Sequence, residues 1–322
     1  DRARDAGLWL GFYRDLAVGA APDGAEVWAT QDRLIAGASI GAPPDPFSAA
    51  GQIWALPPPD PLAMQGDGLA GFEALLAANM RHAGALRIDH VMGLARLFLV
   101  PDGAAASEGA YLAYPFEEAL AVVALASRRA GCLVVGEDLG TVPEGFRDRL
   151  AAADVLSYRV LWFERDADGF APPAAYPAKA MACASTHDLP TLAGWWSGQD
   201  IDERATLGLL TPEDAARERA DRAADRRAFL AALRAAGALD VDLAPDGAFD
   251  MRLVDAASRF VAATPSLIAM AQIDDLAGEA TAINLPGTDR ERPNWRRRLS
   301  APLAEALAPA RLAALARPRL ND

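Results

Sequence analysis

Three short apolar runs, each ending in an acid, constrain this chain more than anything else in it. They are Ala85-Leu-Arg-Ile-Asp89, Cys132-Leu-Val-Val-Gly-Glu-Asp138 and Ala180-Met-Ala-Cys-Ala-Ser-Thr-His-Asp188. Apolar runs without polar alternation are the mark of strands buried on both faces, and such strands belong to parallel sheets covered by helices. Helical segments flank them. Leu69–His82 places Phe72, Leu75, Leu76, Asn79 and Met80 at helical spacing. Pro115–Ala130 begins with Glu117 and Glu118, ends with Arg128 and Arg129, and is followed by Gly131, as the helix dipole and a left-handed C-terminal cap favour. Thr211-Pro-Glu-Asp214 opens another helix, running to about Ala236.

Gly7–Tyr13, Tyr158–Phe163 and Ser266–Gln272 read as further strands, which makes six. The fold class is therefore α/β, with a (β/α)8 TIM-type barrel as the architecture of reference. A closed barrel needs eight strands. Either two strands precede Asp1 in a longer protein, as a first residue other than Met also suggests, or the sheet is not closed. With 322 residues of which 52% are hydrophobic, the chain can bury a sizeable core. We expect residues 1–322 to form one catalytic domain. Within it, a Pro-rich insertion spans about 15–68 and a helical excursion about 190–262. Pro43, Pro44, Pro46, Pro57, Pro58, Pro59 and Pro61 argue that the insertion is irregular. Helical character with breaks at Pro309 and Pro318 is expected from Leu299 to Leu320.

Charge and cysteine content exclude some classes. A formal net charge of −13 disfavours nucleic acid but not neutral polar ligands. No stretch of about 18 uncharged apolar residues appears, so no membrane span is expected. Cys132 and Cys183 lie in apolar stretches without a C-x-x-C spacing, which fits buried thiols in a reducing, cytoplasmic compartment. No H-x-x-H or H-E-x-x-H pattern points to a metal, and no cofactor is expected.

The acids at the strand ends carry the chemistry. Arg87 and Asp89 share one face of a strand, and a cation there keeps a carboxylate ionised, as a nucleophile must be. Taken alone, an Arg–Asp pair closing a strand is the plainer reading. Glu137 and Asp138 follow an apolar strand, where burial and neighbouring acids push a carboxyl toward the pKa of a proton donor; a helix-start acid is the plain alternative. Asp188 follows His187 before a Leu-Pro turn. Barrel enzymes place catalysis at the C-terminal ends of strands. Three acids there suit glycosidic chemistry, with one as nucleophile, one as acid/base and one holding a distorted sugar. Of the tryptophans Trp9, Trp28, Trp54, Trp162, Trp195, Trp196 and Trp295, most are expected to pack, though each offers a face on which a sugar could stack.

Several stretches together resemble the amylomaltase, or 4-α-glucanotransferase, family of the α-amylase clan. They are Tyr13-Arg-Asp-Leu-Ala-Val-Gly19, Asp23-Gly-Ala-Glu-Val-Trp28, Gly41-Ala-Pro-Pro-Asp45, Gly51-Gln52, Leu86-Arg-Ile-Asp-His-Val-Met-Gly93, Gly136-Glu-Asp-Leu-Gly-Thr-Val-Pro143, Thr186-His-Asp-Leu-Pro-Thr191, Asn284-Leu-Pro-Gly-Thr288 and Asn294-Trp-Arg-Arg-Arg298. The resemblance runs from Gly7 to about Ser300. It implies a (β/α)8 barrel with Asp89 as nucleophile, Glu137 as acid/base and Asp188 as stabiliser of the transition state. It places Arg87 and His187 against the nucleophile or the reacting sugar. Asp23, Asp45, Gln52, Trp54 and Asn284 fall in substrate-cleft motifs, and Asp138 is a structural neighbour of Glu137. The implied activity transfers α-1,4-glucan segments between maltodextrins, with glucose or maltose as acceptors, by a retaining double displacement. A hydrolase with the same triad and a non-catalytic glucan-binding module remain as alternatives.

Overall fold

The computed structural model describes residues 2–44, 50–167 and 169–316. The chain divides into two compact units, residues 1–158 and 159–322. In chain order the first unit holds β1 (Tyr13–Leu16), β2 (Ala38–Ala42), β3 (Gln52–Leu56), β4 (Ala85–Ile88), β5 (Arg96–Pro101), β6 (Ala110–Ala113) and β7 (Leu133–Gly136). β8 (Leu156–Val160) runs across the boundary. The parallel strands follow the order β1-β4-β7-β8. They carry the apolar runs of the sequence, and every residue of β4 is buried. Helices Ala70–Met80 and Phe116–Ala130 cover them, so that Leu76, Met80, Leu120 and Val123 pack with Leu86, Ile88 and Val134. Gly131, at φ +60, ends the second helix in the left-handed conformation its sequence called for, and its N–H donates to Ser127 O.

The second unit adds a short hairpin, β9 (Arg165–Asp166) with β10 (Gly169–Phe170), and the parallel pair β11 (Ala180–Cys183) and β12 (Ile268–Met270). Between the last two lie helices Leu192–Ser197, Gln199–Thr206, Pro212–Ala235 and Arg252–Ala262. Thr211 caps the longest of them by accepting from Asp214 N at 3.1 Å. Trp162, Phe170, Trp195 and Phe229 form an aromatic cluster, with the two indoles stacked at 4.3 Å. These tryptophans therefore pack rather than face solvent. Among the described residues six strands are parallel, the kind of strand of which a (β/α)8 barrel contains eight. Among the described residues no helix is long and apolar enough to cross a membrane.

Three expectations are corrected. Gly7–Phe12 is not strand, because Gly7 and Gly11 sit at φ +78 and +76, outside the extended region. The Pro-rich insertion is not structureless: β2 and β3 join β5 and β6 in a four-stranded antiparallel sheet ordered β3-β2-β5-β6. Its prolines punctuate rather than forbid. Pro43, Pro44, Pro57, Pro58 and Pro59 lie outside the ladders, and Pro61 takes the first position of helix Pro61–Gly66, where Asp60 accepts from Leu62 N at 2.8 Å. Pro309 likewise starts helix Pro309–Leu315 instead of breaking one. Pro318 lies outside the described residues.

Candidate active site

Strand register places the first unit's acids. Asp15 on β1 pairs with Arg87 on β4, and Arg87 pairs with Val135 on β7. The strands therefore end level, and the next residues, Asp89 and Glu137, leave the sheet side by side. Their amides continue the ladder, Asp89 N donating to Leu16 O and Glu137 N to Ile88 O, both at 2.9 Å. Arg87 is 7% exposed and lies between two acids. Its Nη1 donates to Asp15 Oδ1 and Oδ2 at 2.8 and 2.9 Å, and its Nη2 meets Asp89 Oδ1 at 2.7 Å. Burial opposes its charge, but Asp89, Asp15 and Glu137 outweigh that and raise its pKa. Asp15 was not anticipated as a site residue. Its motif lies in the sequence, but its partnership with Arg87 comes from pairing across 72 residues.

Glu137 is 8% exposed. Its Oε2 accepts from His90 N at 2.9 Å and its Oε1 from Leu139 N at 2.7 Å. Burial, then the charge of Asp89, lifts its pKa to about 7, against the pull of the Leu139 amide, Arg87 and the His90 amide. A buried carboxyl poised there can give up a proton and take one back near neutrality. His90 holds its amide toward Glu137 from a left-handed backbone at φ +45. Its imidazole is pushed down to about 4 by burial and by Arg96, so it stays neutral. Sequence reasoning passed over His90 because its contribution is an amide that any residue carries.

Trp54 meets His90 edge-on with ring centroids 5.4 Å apart, and its Nε1 donates to Gln52 Oε1 at 3.0 Å. A bulge sets this up. On β2, Ile40 and Gly41 pair with Leu56 and Ile53 of β3, so Trp54 and Ala55 have no partners between them. Ala55 takes φ +56. A Cβ on Gly41 would lie 2.2 Å from Gln52 O, so only glycine permits the approach. Asp138 is fully buried and serves structure. It accepts from Tyr158 N at 2.8 Å, from the Ser157 hydroxyl and from Arg147 Nε at 2.7 Å, which ties the end of β7 to β8.

In the second unit Asp188 is half-buried beyond β11. Asn284 Nδ2 donates to its Oδ1 at 2.7 Å, and His187 Nε2 lies 3.0 Å from its Oδ2. The sequence-derived site residues thus form two groups: Gln52, Trp54, Arg87, Asp89 and Glu137 in the first unit, and His187, Asp188 and Asn284 in the second. Asp23 sits exposed in the turn before helix Ala25–Ala29, with no hydrogen bond or ion pair to either group among the described residues. Asp45 lies outside the described residues.

Comparison with known proteins gives this geometry a context. The family model described as 4-alpha-glucanotransferase matches residues 1–304. The 4-alpha-glucanotransferases of Mycobacterium tuberculosis and Mycobacterium bovis are 44% identical over 311 residues, covering 94% of this chain and 42% of their own length. That of Haemophilus influenzae is 40% identical over 305 residues, covering 94% and 44%. Among solved structures, amylomaltase from Corynebacterium glutamicum matches with a TM-score of 0.90 at 34% identity, over 98% of this chain and 46% of that one. Amylomaltase from Streptococcus agalactiae, solved in complex with acarbose, matches with a TM-score of 0.70 at 22% identity, over 94% and 55%, a likeness of fold. The chain spans less than half the length of these curated relatives. By a match along nearly its whole length, which takes in the strand-end acids described above, the chain belongs to glycoside hydrolase family 77, the 4-alpha-glucanotransferases.

Proposed function

We propose that the protein containing this chain is a retaining 4-α-glucanotransferase that moves α-1,4-glucan segments between maltodextrins, with glucose or maltose as acceptors. The observation that carries the reading is Glu137: a buried carboxyl held to about 7 beside Asp89, whose own carboxylate is paired with Arg87. In the first step an Asp89 oxygen attacks the anomeric carbon. The glycosidic bond breaks as Glu137 hands its proton to the departing 4-oxygen, leaving a glucosyl ester on Asp89. In the second step the 4-hydroxyl of another sugar attacks that carbon. Glu137 takes the proton, and the Asp89 carboxylate leaves. Two inversions give net retention. On the family pattern Asp188, oriented by Asn284 and His187, stabilises the oxocarbenium-like sugar. Cys132 and Cys183, both buried thiols, fit a reducing cytoplasm.

The test is to feed maltotriose to the full-length protein and resolve the products by chain length. Longer and shorter maltodextrins with glucose are the expected pattern. Glucose and maltose without any longer product would mean water is the acceptor and the protein a hydrolase. Recovery of maltotriose unchanged would leave a binding module.

The pH profile follows from Glu137. The first step needs its protonated form, so kcat/KM for maltodextrins should hold on the acid side of about 7 and fall as pH rises through that value. A profile flat between about pH 6 and 8 would remove Glu137 from the role of general acid.

A further inference from the structure

In the second unit a closed loop from Ile283 to Trp295 brings two residues to the Asp188 group. At one end Asn284 donates to Asp188 at 2.7 Å. At the other, the Trp295 ring lies 5.3 Å from that of His187, tilted by 50°, and His187 in turn contacts Asp188. The loop is fastened from within. Asn294 Oδ1 accepts from Leu285 N and Arg292 Nη1 at 3.1 and 2.7 Å, and its Nδ2 donates to Thr288 O and Oγ1 at 3.0 and 2.9 Å. Arg292, 6% exposed, anchors the whole to Glu203 and Ala282 O. Trp295 N donates to Ile283 O at 3.0 Å and closes the loop.

Two features of Trp295 are unfavourable for folding alone. Its backbone sits at φ +60, a conformation bulky side chains seldom adopt. The residue is 60% exposed. Strain kept at a well-braced position, with a large apolar face turned to water beside an acid, marks a residue held for a ligand. The ligand chemistry follows from the face. A rigid, uncharged aromatic plane suits the C–H face of a sugar ring, and the sugar's hydroxyls would be left to the polar groups nearby.

We infer that Trp295 is a sugar-binding platform, on which a glucosyl ring of the α-glucan stacks beside His187 and Asp188. This rests on the α-glucan reading above. Trp295 sets affinity and substrate position and takes no part in bond making.

The test uses the full-length protein carrying Asp89→Asn, so that bound maltotetraose is not consumed, and measures its affinity by calorimetry. Adding Trp295→Ala should weaken binding about five- to tenfold, whereas Trp295→Phe, which keeps a ring, should retain most of it. In the otherwise unaltered protein Trp295→Ala should raise KM for maltotriose by a similar factor and change kcat less. Maltotetraose binding indifferent to Trp295→Ala would overturn the inference. So would a loss of Tm and kcat with affinity unchanged, the signature of a brace for His187. Failure of the protein with Trp295 intact to bind maltotetraose would overturn the α-glucan reading along with it.

Discussion

Asp89→Asn in the full-length protein should abolish turnover with every donor, a loss of at least about 10⁴-fold in kcat. The reason is chemical rather than structural. An amide oxygen cannot form the glucosyl ester, and no improvement of the leaving group replaces a missing nucleophile. The fold has little cause to change, since Arg87 keeps Asp15, which it meets at 2.8 and 2.9 Å. A near-wild-type Tm with no detectable transfer, even from an α-glucosyl fluoride, is the expected pair of results. Appreciable turnover of that fluoride would show that Asp89 is not the nucleophile. A second consequence can be read in the same protein. The charge of Asp89 is one of the causes holding the Glu137 pKa up, so its removal should lower that pKa, visible as a titration midpoint moved to lower pH for a labelled Glu137 carboxyl.

Glu137→Gln should cost about 10²–10⁴-fold with ordinary maltodextrins, whose leaving oxygen needs a proton. The two steps should then separate. An α-glucosyl fluoride departs without protonation, so formation of the glucosyl ester should recover. Attack by a sugar hydroxyl should stay slow for want of a base. Azide needs no deprotonation, and adding it should restore turnover with a glucosyl azide of retained α configuration as product. Asp188→Asn should respond to neither rescue, because on the family pattern it lowers the barrier of both steps. Azide rescue of Asp89→Asn with retention, together with rescue of Glu137→Gln with inversion, would require the two assignments to be exchanged.

Much of the parallel sheet was legible because buried parallel strands need unbroken apolar runs, and nothing else in a chain of this composition explains Ala85–Ile88, Leu133–Gly136 and Ala180–Cys183. The helix Phe116–Ala130 announced itself through charges placed to match its dipole and a glycine past its end. The antiparallel sheet was not legible. β2 and β3 are short, and proline-rich segments flank them. Whether such segments pair depends on β5 and β6, which follow much later in the chain. The glycines before β1 misled in the other direction, since Gly7–Tyr13 has the composition of a strand and Gly7 and Gly11 have the backbone of turns.

What the sequence by itself determined is that acids stand at the ends of buried strands. An acid directly after a buried strand is costly unless it is used or well bonded, and Asp89 and Glu137 stand in that position, while Asp188 lies in a turn beyond β11. What only the tertiary structure decided is how those acids differ. Glu137 and Asp138 are neighbours in sequence. Asp138 spends its lone pairs on Tyr158 N, Ser157 and Arg147, while Glu137 faces Asp89 from a buried pocket with two backbone amides and holds its proton to about 7. The pairing of Arg87 with Asp15, the amide of His90 and the bulge that turns Trp54 onto it depend likewise on register between strands far apart in the chain. A pKa is set by burial and by charges within a few ångströms, and those distances exist only once the chain has folded.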